Sequence, residues 1–210
     1  MIQQTPRTTT SRMPKRTQYD ESLIYSTLDE ALFCTICYSV DNQPFSIPTA
    51  FVRKKNKLYI HGSVGSHFLR EIESGIPVCI SVMLTDALVV AKSAFSHSVN
   101  YRSVIIFTNA ARIDDFEAKA SFFKELTEKI VPNSWEYLRP MKTNEVNKTM
   151  LLVFEISEAS ARIRTGMPND EDEDKNLPIW SGIIPIPSNR LAPIADESSV
   201  NIPLPEHLTR

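Results

Sequence analysis

Between Leu58 and Leu69 an alternating apolar strand, Leu58-Tyr59-Ile60-His61, runs into Gly62-Ser63-Val64-Gly65-Ser66-His67 and then into a helix start. Such a junction can hold an anion. Gly62 and Gly65 let the backbone come close to a ligand, Ser63 and Ser66 offer hydroxyls, and the N–H groups opening a helix point outward at a positive dipole end. A phosphate is the natural guest. The same residues also read as an ordinary strand-to-helix turn with Ser66 as N-cap. A second candidate is Asn100-Tyr101-Arg102-Ser103, where Tyr101 and Arg102 fall on opposite faces of a strand. Arg102 could supply positive charge to a bound anion, or it could pair with a surface carboxylate.

Other reactive side chains are less well placed. His97 lies between Ser96 and Ser98, but no carboxylate is close in sequence to orient it, so a Ser/His triad is unsupported. Cys34 and Cys37 form a C-x-x-C, yet they sit in Phe33 to Val40, a run rich in β-branched and aromatic residues. On that strand the two thiols point to opposite faces. Cys79, inside Val78-Cys79-Ile80-Ser81-Val82, reads as a small core hydrophobe, and zinc-ligand spacing is missing, so no metal is expected.

The elements that must position these residues are mostly strands. Leu23, Ile24, Leu28, Ala31 and Leu32 recur at helical spacing over Glu21 to Leu32, predicting a helix that lies on a sheet. Strands are predicted for Phe33 to Val40, Pro44 to Arg53 and Lys57 to His61, joined by polar turns into an antiparallel meander. A short helix from Ser66 to about Ser74 follows, then strands over Val78 to Leu84 and Ala87 to Lys92, separated at Thr85-Asp86. Tyr101 to Phe107 is a further strand, continuing through Asn109 to Ile113. A helix begins near Asp114, where Asp114 and Glu117 have capping-box spacing, and Phe116, Ala120, Phe123, Leu126 and Ile130 form its core stripe. Met150 to Ile156 is predicted to extend as a strand through Ala161 to Arg164. Short strands with few helices point to a mainly β fold, a closed or nearly closed barrel with flanking α-helices, since closure removes exposed edges.

The chain of 210 residues, 42% hydrophobic, can build one sizeable core. One domain with arms is expected: a basic N-terminal arm over 1–20, a barrel over 21–165, and an acidic loop with a proline-rich arm over 166–210. The N-terminal arm, with Arg7, Arg12, Lys15 and Arg16, reads as a solvated terminus or a local grip on a ligand. The proline-rich segment from Trp180 to Pro187 is expected to pack as an extended arm. A net charge of -2 and a pI near 6.1 argue against a general nucleic-acid binder. No apolar run reaches membrane-spanning length and no signal-peptide segment opens the chain, so a cytoplasmic protein without a membrane partner is expected.

Taken in order, these segments resemble the flavin-nucleotide-binding proteins related to pyridoxamine 5'-phosphate oxidase and to the nitroimidazole-resistance reductases. The matching elements are Arg16 with Tyr19-Asp20, Ser46-Ile47-Pro48, Leu58 to Ser63, Ser66, the run Ala91 to Val104, and Trp180-Ser181-Gly182 followed by Pro185. The resemblance implies an FMN-binding split barrel that forms a homodimer, with FMN in a cleft between subunits. It implies cofactor contacts from His61, Gly62, Ser63, Ser66, His67, Val82, Thr85, Asn100, Tyr101, Arg102, Ser103 and Trp180. Relatives more often carry Arg or Lys at the position of His67, which leaves less positive charge here. His61 matches a position beside the ligand in the nitroimidazole-resistance relatives, or it is a hydrogen-bonded, inward-facing barrel residue.

The function implied is a flavin-dependent oxidoreductase taking reducing equivalents from a reduced nicotinamide to a small acceptor. Pyridoxamine phosphate oxidation itself is not expected, because Arg190-Leu191-Ala192-Pro193 alone does not supply that enzyme's C-terminal substrate pattern. The alternatives are a non-catalytic flavin or haem carrier on the same barrel, with His61, His67 or His97 as axial ligand, and a barrel that has lost its cofactor and serves as an interaction module.

Overall fold

The computed structural model describes residues 2–209. Among the described residues four α-helices, α1 (Glu21–Glu30), α2 (His67–Glu73), α3 (Phe116–Ile130) and α4 (Thr143–Asn147), flank nine strands. The strands are β1 (Thr17–Gln18), β2 (Phe33–Val40), β3 (Gln43–Lys54), β4 (Lys57–Ser63), β5 (Pro77–Val90), β6 (Ser98–Ile113), β7 (Thr149–Glu155), β8 (Ala159–Arg164) and β9 (Gly182–Pro185). All pairings are antiparallel, and β2, β3, β4, β7, β6 and β5 close into a ring. This is the split barrel expected from the sequence.

Closure depends on the length of β6. Its first part pairs with β5 on one side and β8 on the other, and its last residues, Ala110 to Ile113, cross to β7. Inside the ring, Ile36, Phe51, Leu58, Ile60, Ile80, Ile106, Leu152 and Phe154 are fully buried, and Ile24 and Leu28 of α1 join the same core. A second, smaller cluster of Val52, Phe122, Leu126 and Leu151 lies outside the barrel wall, where α3 covers β3, β4 and β7. The two clusters divide the strands by parity: along β4, Leu58 and Ile60 face the core, and Tyr59 and His61 face α3.

Several boundaries differ from the sequence reading. The segments on either side of Thr85-Asp86 form one strand, β5, with a bulge between Thr85 and Ala87 that leaves Asp86 out of the ladder. The extension from Met150 to Arg164 is instead two strands on different partners, β7 beside β4 and β8 beside β6. Asp115, not Asp114, caps α3 and accepts from the Ala118 N–H at 2.8 Å, while Asp114 pairs with Arg112. The buried stripe of α3 is Lys119, Phe122 and Leu126. Phe116 and Ile130 are left 39% and 44% exposed because the helix covers only one outer face of the wall.

Cys34 is buried and Cys37 half exposed, on opposite faces as expected. Cys79, expected in the core, lies on the outer face opposite Cys37 in register. The N-terminal arm is packed: Ile2 and Thr8 are buried, Tyr19 donates to the Thr8 carbonyl at 2.9 Å, and Arg7 pairs with Glu158. The proline-rich segment adds β9 to the edge of β5, where proline is tolerated.

Candidate functional site

His61 is at the end of β4 on the face turned toward α3, not toward the barrel interior. Its ring lies 5.3 Å from that of Phe122 and 5.5 Å from that of Phe123, centre to centre. Its Nδ1 is buried and has no hydrogen-bond partner. Burial holds the imidazole below its ordinary pKa of 6.5, so the ring is neutral near pH 7. Of the two readings open in the sequence, the hydrogen-bonded inward residue is therefore not the one present.

The ring borders a cavity of about 500 Å³ lined by Gly62, Ser63, Phe123, Met141, Glu145, Lys148 and Thr149 together with His61. Met141 also borders an adjoining groove of about 430 Å³ between α3 and the segment from Trp135 to Val146. At the rim Glu145 is salt-bridged to Arg139 at 2.5 Å and accepts the Lys142 N–H, which together pull its carboxyl down to about 2. Lys148 forms no ion pair among the described residues. Its carbonyl accepts the Val64 N–H at 3.0 Å, tying the α4–β7 corner to the Gly62–His67 loop.

That loop is built largely from its own polar groups. The Ser63 hydroxyl accepts the Gly65 N–H at 3.1 Å, the Ser63 carbonyl accepts the Ser66 N–H at 2.9 Å, and Ser66 caps α2 through the Leu69 N–H at 3.4 Å. Accepting leaves both hydroxyl protons available to donate. Gly62 has a packing reason: a Cβ there would stand 2.6 Å from Leu69 Cδ1. His67 turns to solvent, 83% exposed and 3.5 Å from Glu71. The cation tied to the loop is Arg70 of α2, whose Nε donates to the Val64 carbonyl at 3.0 Å.

The remaining sequence candidates form a separate group around β5 and β6. Val82 is in the barrel core and Thr85 is exposed at the bulge. Arg102 takes the carboxylate partners left open for it, bonding Glu30 and Asp86, and these two hydrogen-bonded acids raise its pKa. The bulge aims Asp86 at that guanidinium. Asn100 is buried, donating to the Gly166 carbonyl at 3.0 Å and accepting from Arg164. Ser103 donates to the Arg162 carbonyl at 3.4 Å, and Tyr101 is half buried opposite Thr85 and Arg164. Trp180 is 65% exposed and folds over Gly182, where a Cβ would come within 2.9 Å of the indole. His97 contacts the Ser93 carbonyl at 2.8 Å through Nδ1.

Sequence reasoning missed Phe123 as a cavity wall, along with Met141, Glu145, Lys148 and Thr149. The last four follow α3 in a segment without strong periodicity; the one local signal there is Lys142 three residues before Glu145, the spacing of a helix start. Among the described residues no group of three or more His, Cys, Asp or Glu side chains could hold a metal ion.

Residues 20–163 match the family described as Pyridoxamine 5'-phosphate oxidase. No curated protein matches the chain significantly. Among solved structures, the flavocytochrome Anf3 from Azotobacter vinelandii superposes with a TM-score of 0.89 at 32% identity, covering 98% of this chain and 96% of that one. The FAD and Heme binding protein from Mycobacterium smegmatis superposes with a TM-score of 0.87 at 30% identity, covering 92% and 96%. A protein named for 5-nitroimidazole antibiotic resistance, from Bacteroides thetaiotaomicron, shares the fold with a TM-score of 0.60 at 16% identity, covering 70% and 86%. With the barrel matched almost from end to end, and two relatives alike in sequence over nearly their whole length, this chain belongs to the pyridoxamine 5'-phosphate oxidase family.

Proposed function

We propose that this protein binds a flavin and a haem and transfers electrons from a reduced nicotinamide to a small acceptor, with His61 as the protein ligand to the haem. The observation that carries this is the His61 ring: half buried, neutral, and with a buried Nδ1 that has no hydrogen bond, on the wall of a cavity of about 500 Å³. A buried ring nitrogen without a hydrogen bond carries a cost, and holding the other nitrogen to a ligand would offset it. The surroundings fit a flat porphyrin. Phe123 and Met141 offer an apolar wall, and Lys148 at the rim has the charge to meet a propionate. The names of the two relatives that share 30% identity or more, a flavocytochrome and an FAD and Heme binding protein, point the same way.

For the flavin, Ser63, Ser66 and Arg70 are the residues that would hold its phosphate. Arg70 supplies the charge that His67, turned to solvent, does not. FMN is the flavin implied by the sequence resemblance, and FAD is in the name of one relative. When bound, flavin and haem supply two-electron and one-electron chemistry that no side chain here can. The chain's part is to seat them, exclude water and set the charge around them.

We further propose a homodimer through the outer face of β2, β5 and β6. There Phe33 and Met83 are 62% and 65% exposed, Ile105 lies between them and Phe107, and the neighbours Thr35, Cys37, Cys79 and Ser81 are uncharged.

The test is the visible spectrum of protein purified without added cofactor, with heat-released ligand identified by mass to separate FMN from FAD. Both a flavin spectrum and a Soret band are expected, and His61→Ala is expected to lose the Soret band while keeping the flavin. A colourless protein that takes up neither added flavin nor haemin sinks the reading, and nicotinamide oxidation by the loaded protein distinguishes turnover from carriage.

A further inference from the structure

We propose that Arg16, Arg162 and Arg164 form a binding site for a phosphate-bearing anion on the outer side of β8, apart from the His61 cavity and independent of the haem reading. Along β8, Ala159 and Ala161 face the barrel core, so Ser160, Arg162 and Arg164 face outward. Thr17 of β1 pairs with Arg162, which brings the end of the N-terminal arm, including Arg16, alongside. On the other flank Ser103 and Tyr101 of β6 pair with Arg162 and Arg164. Ser160 is buried and Arg16, Thr17, Tyr101, Ser103, Arg162 and Arg164 are half buried, so the guanidinium groups sit between two strands and the arm instead of extending into water.

What sets these arginines apart is partial burial without a counter-charge, since Arg12, Arg70 and Arg190 also form no ion pair among the described residues but are exposed. Arg7, Arg53, Arg102, Arg112 and Arg139 all carry carboxylate partners, but none of Arg16, Arg162 and Arg164 does among the described residues. Arg162 Nε is buried with no hydrogen-bond partner at all. The side-chain partner of Arg164 is the neutral amide of Asn100, and burial together with the charge of Arg16 pushes the Arg164 pKa down. Three cations held together in a partly desolvated place repel one another, and an anion removes that cost. Planar guanidinium forks match the oxygen pairs of a phosphate better than any single halide. Tyr101 lies close enough to affect Arg164 and adds a hydroxyl donor. With the flavin phosphate proposed to sit at Ser63, Ser66 and Arg70, the occupant here is a free phosphate ester, and the experiment tests it against the flavin.

The probe is inorganic pyrophosphate, titrated into the protein as purified and compared with sodium chloride at matched ionic strength, with thermal midpoint and bound flavin as readouts. A saturable rise in the midpoint beyond that given by chloride is expected, and it is expected to vanish in Arg162→Gln/Arg164→Gln while flavin content is kept; that result assigns a free phosphate ester. If the wild type does not respond but the double variant loses its copurified flavin, the arginines serve the flavin instead and the proposal of a separate site is overturned. If pyrophosphate acts no better than chloride and the variant keeps its flavin, the proposal is overturned. Arg16→Gln, on the arm and outside the barrel, repeats the comparison should the double variant not fold, and an unchanged pyrophosphate response in it counts against the site.

Discussion

At His61, burial without a hydrogen bond has a thermodynamic sign that can be measured. The folded-state pKa lies below the ordinary 6.5, so folding favours the neutral ring. Its contribution is fully present above about pH 6.5 and is lost as pH falls from there through the lower folded value. Urea midpoints of wild type and His61→Leu are therefore expected to diverge on acidification below that pH, with wild type losing more; parallel midpoints would show that the ring's charge is not felt. A haem held by this ring would compete with the proton for the same lone pair, so its loss is expected only at a pH below that window. Next to it, Gly62 is fixed by Leu69. Gly62→Ala is expected to lower stability by about 1–3 kcal/mol through overpacking. Denaturation in a Leu69→Ala background checks this, since most of the penalty disappears there if the contact is the cause.

At the scale of elements, the start of α3 shows how local chemistry is decided by one residue's position. Both Asp114 and Asp115 are capping residue types, but only Asp115 accepts an N–H of the first turn; Asp114 is spent on an exposed pair with Arg112. Asp115→Ala is expected to cost about 1 kcal/mol and Asp114→Ala well under that, by urea denaturation. An equal loss from both would mean that the helix begins one residue earlier. The register of β2 on β5 makes a second prediction. Cys37 and Cys79 are direct partners, and opposed Cα atoms in antiparallel strands are about 4.5–5.5 Å apart, within the span a disulfide bridges. Cys34 is on the other face, its thiol pushed up to about 12 by burial. Mild oxidation is expected to join Cys37 to Cys79 within one chain and leave Cys34 free. A peptide map that finds Cys34 in the bridge would contradict the register.

For the whole molecule, the dimer proposed through the outer face of β2, β5 and β6 gives a test of assembly. Replacing Met83 and Ile105 together with lysine is expected to turn a dimer into a monomer by light scattering at micromolar concentration with little loss of fold, both side chains being exposed in the single chain. A wild type that is monomeric under the same conditions rejects this interface. The barrel itself was legible in the sequence, because alternation along Phe33 to Val40 and Leu58 to His61 follows from the two-residue period of a strand, whatever its partners. The Gly62–Ser66 loop and its cap were legible for the same reason: glycine and serine act on the backbone within a few residues. What lay beyond the sequence depends on pairing over long separations. Which face of β4 carries His61, that Arg102 meets Glu30 and Asp86, that Cys79 faces Cys37, and that Met141 and Lys148 close a cavity with Phe123 are consequences of closure, with contacts between residues from 16 to more than 80 positions apart. Sequence spacing alone determined most strands and turns and the Ser66 cap; only the closed barrel decided strand boundaries and partners and which side chains are left without one, and those are the ones that point to ligands.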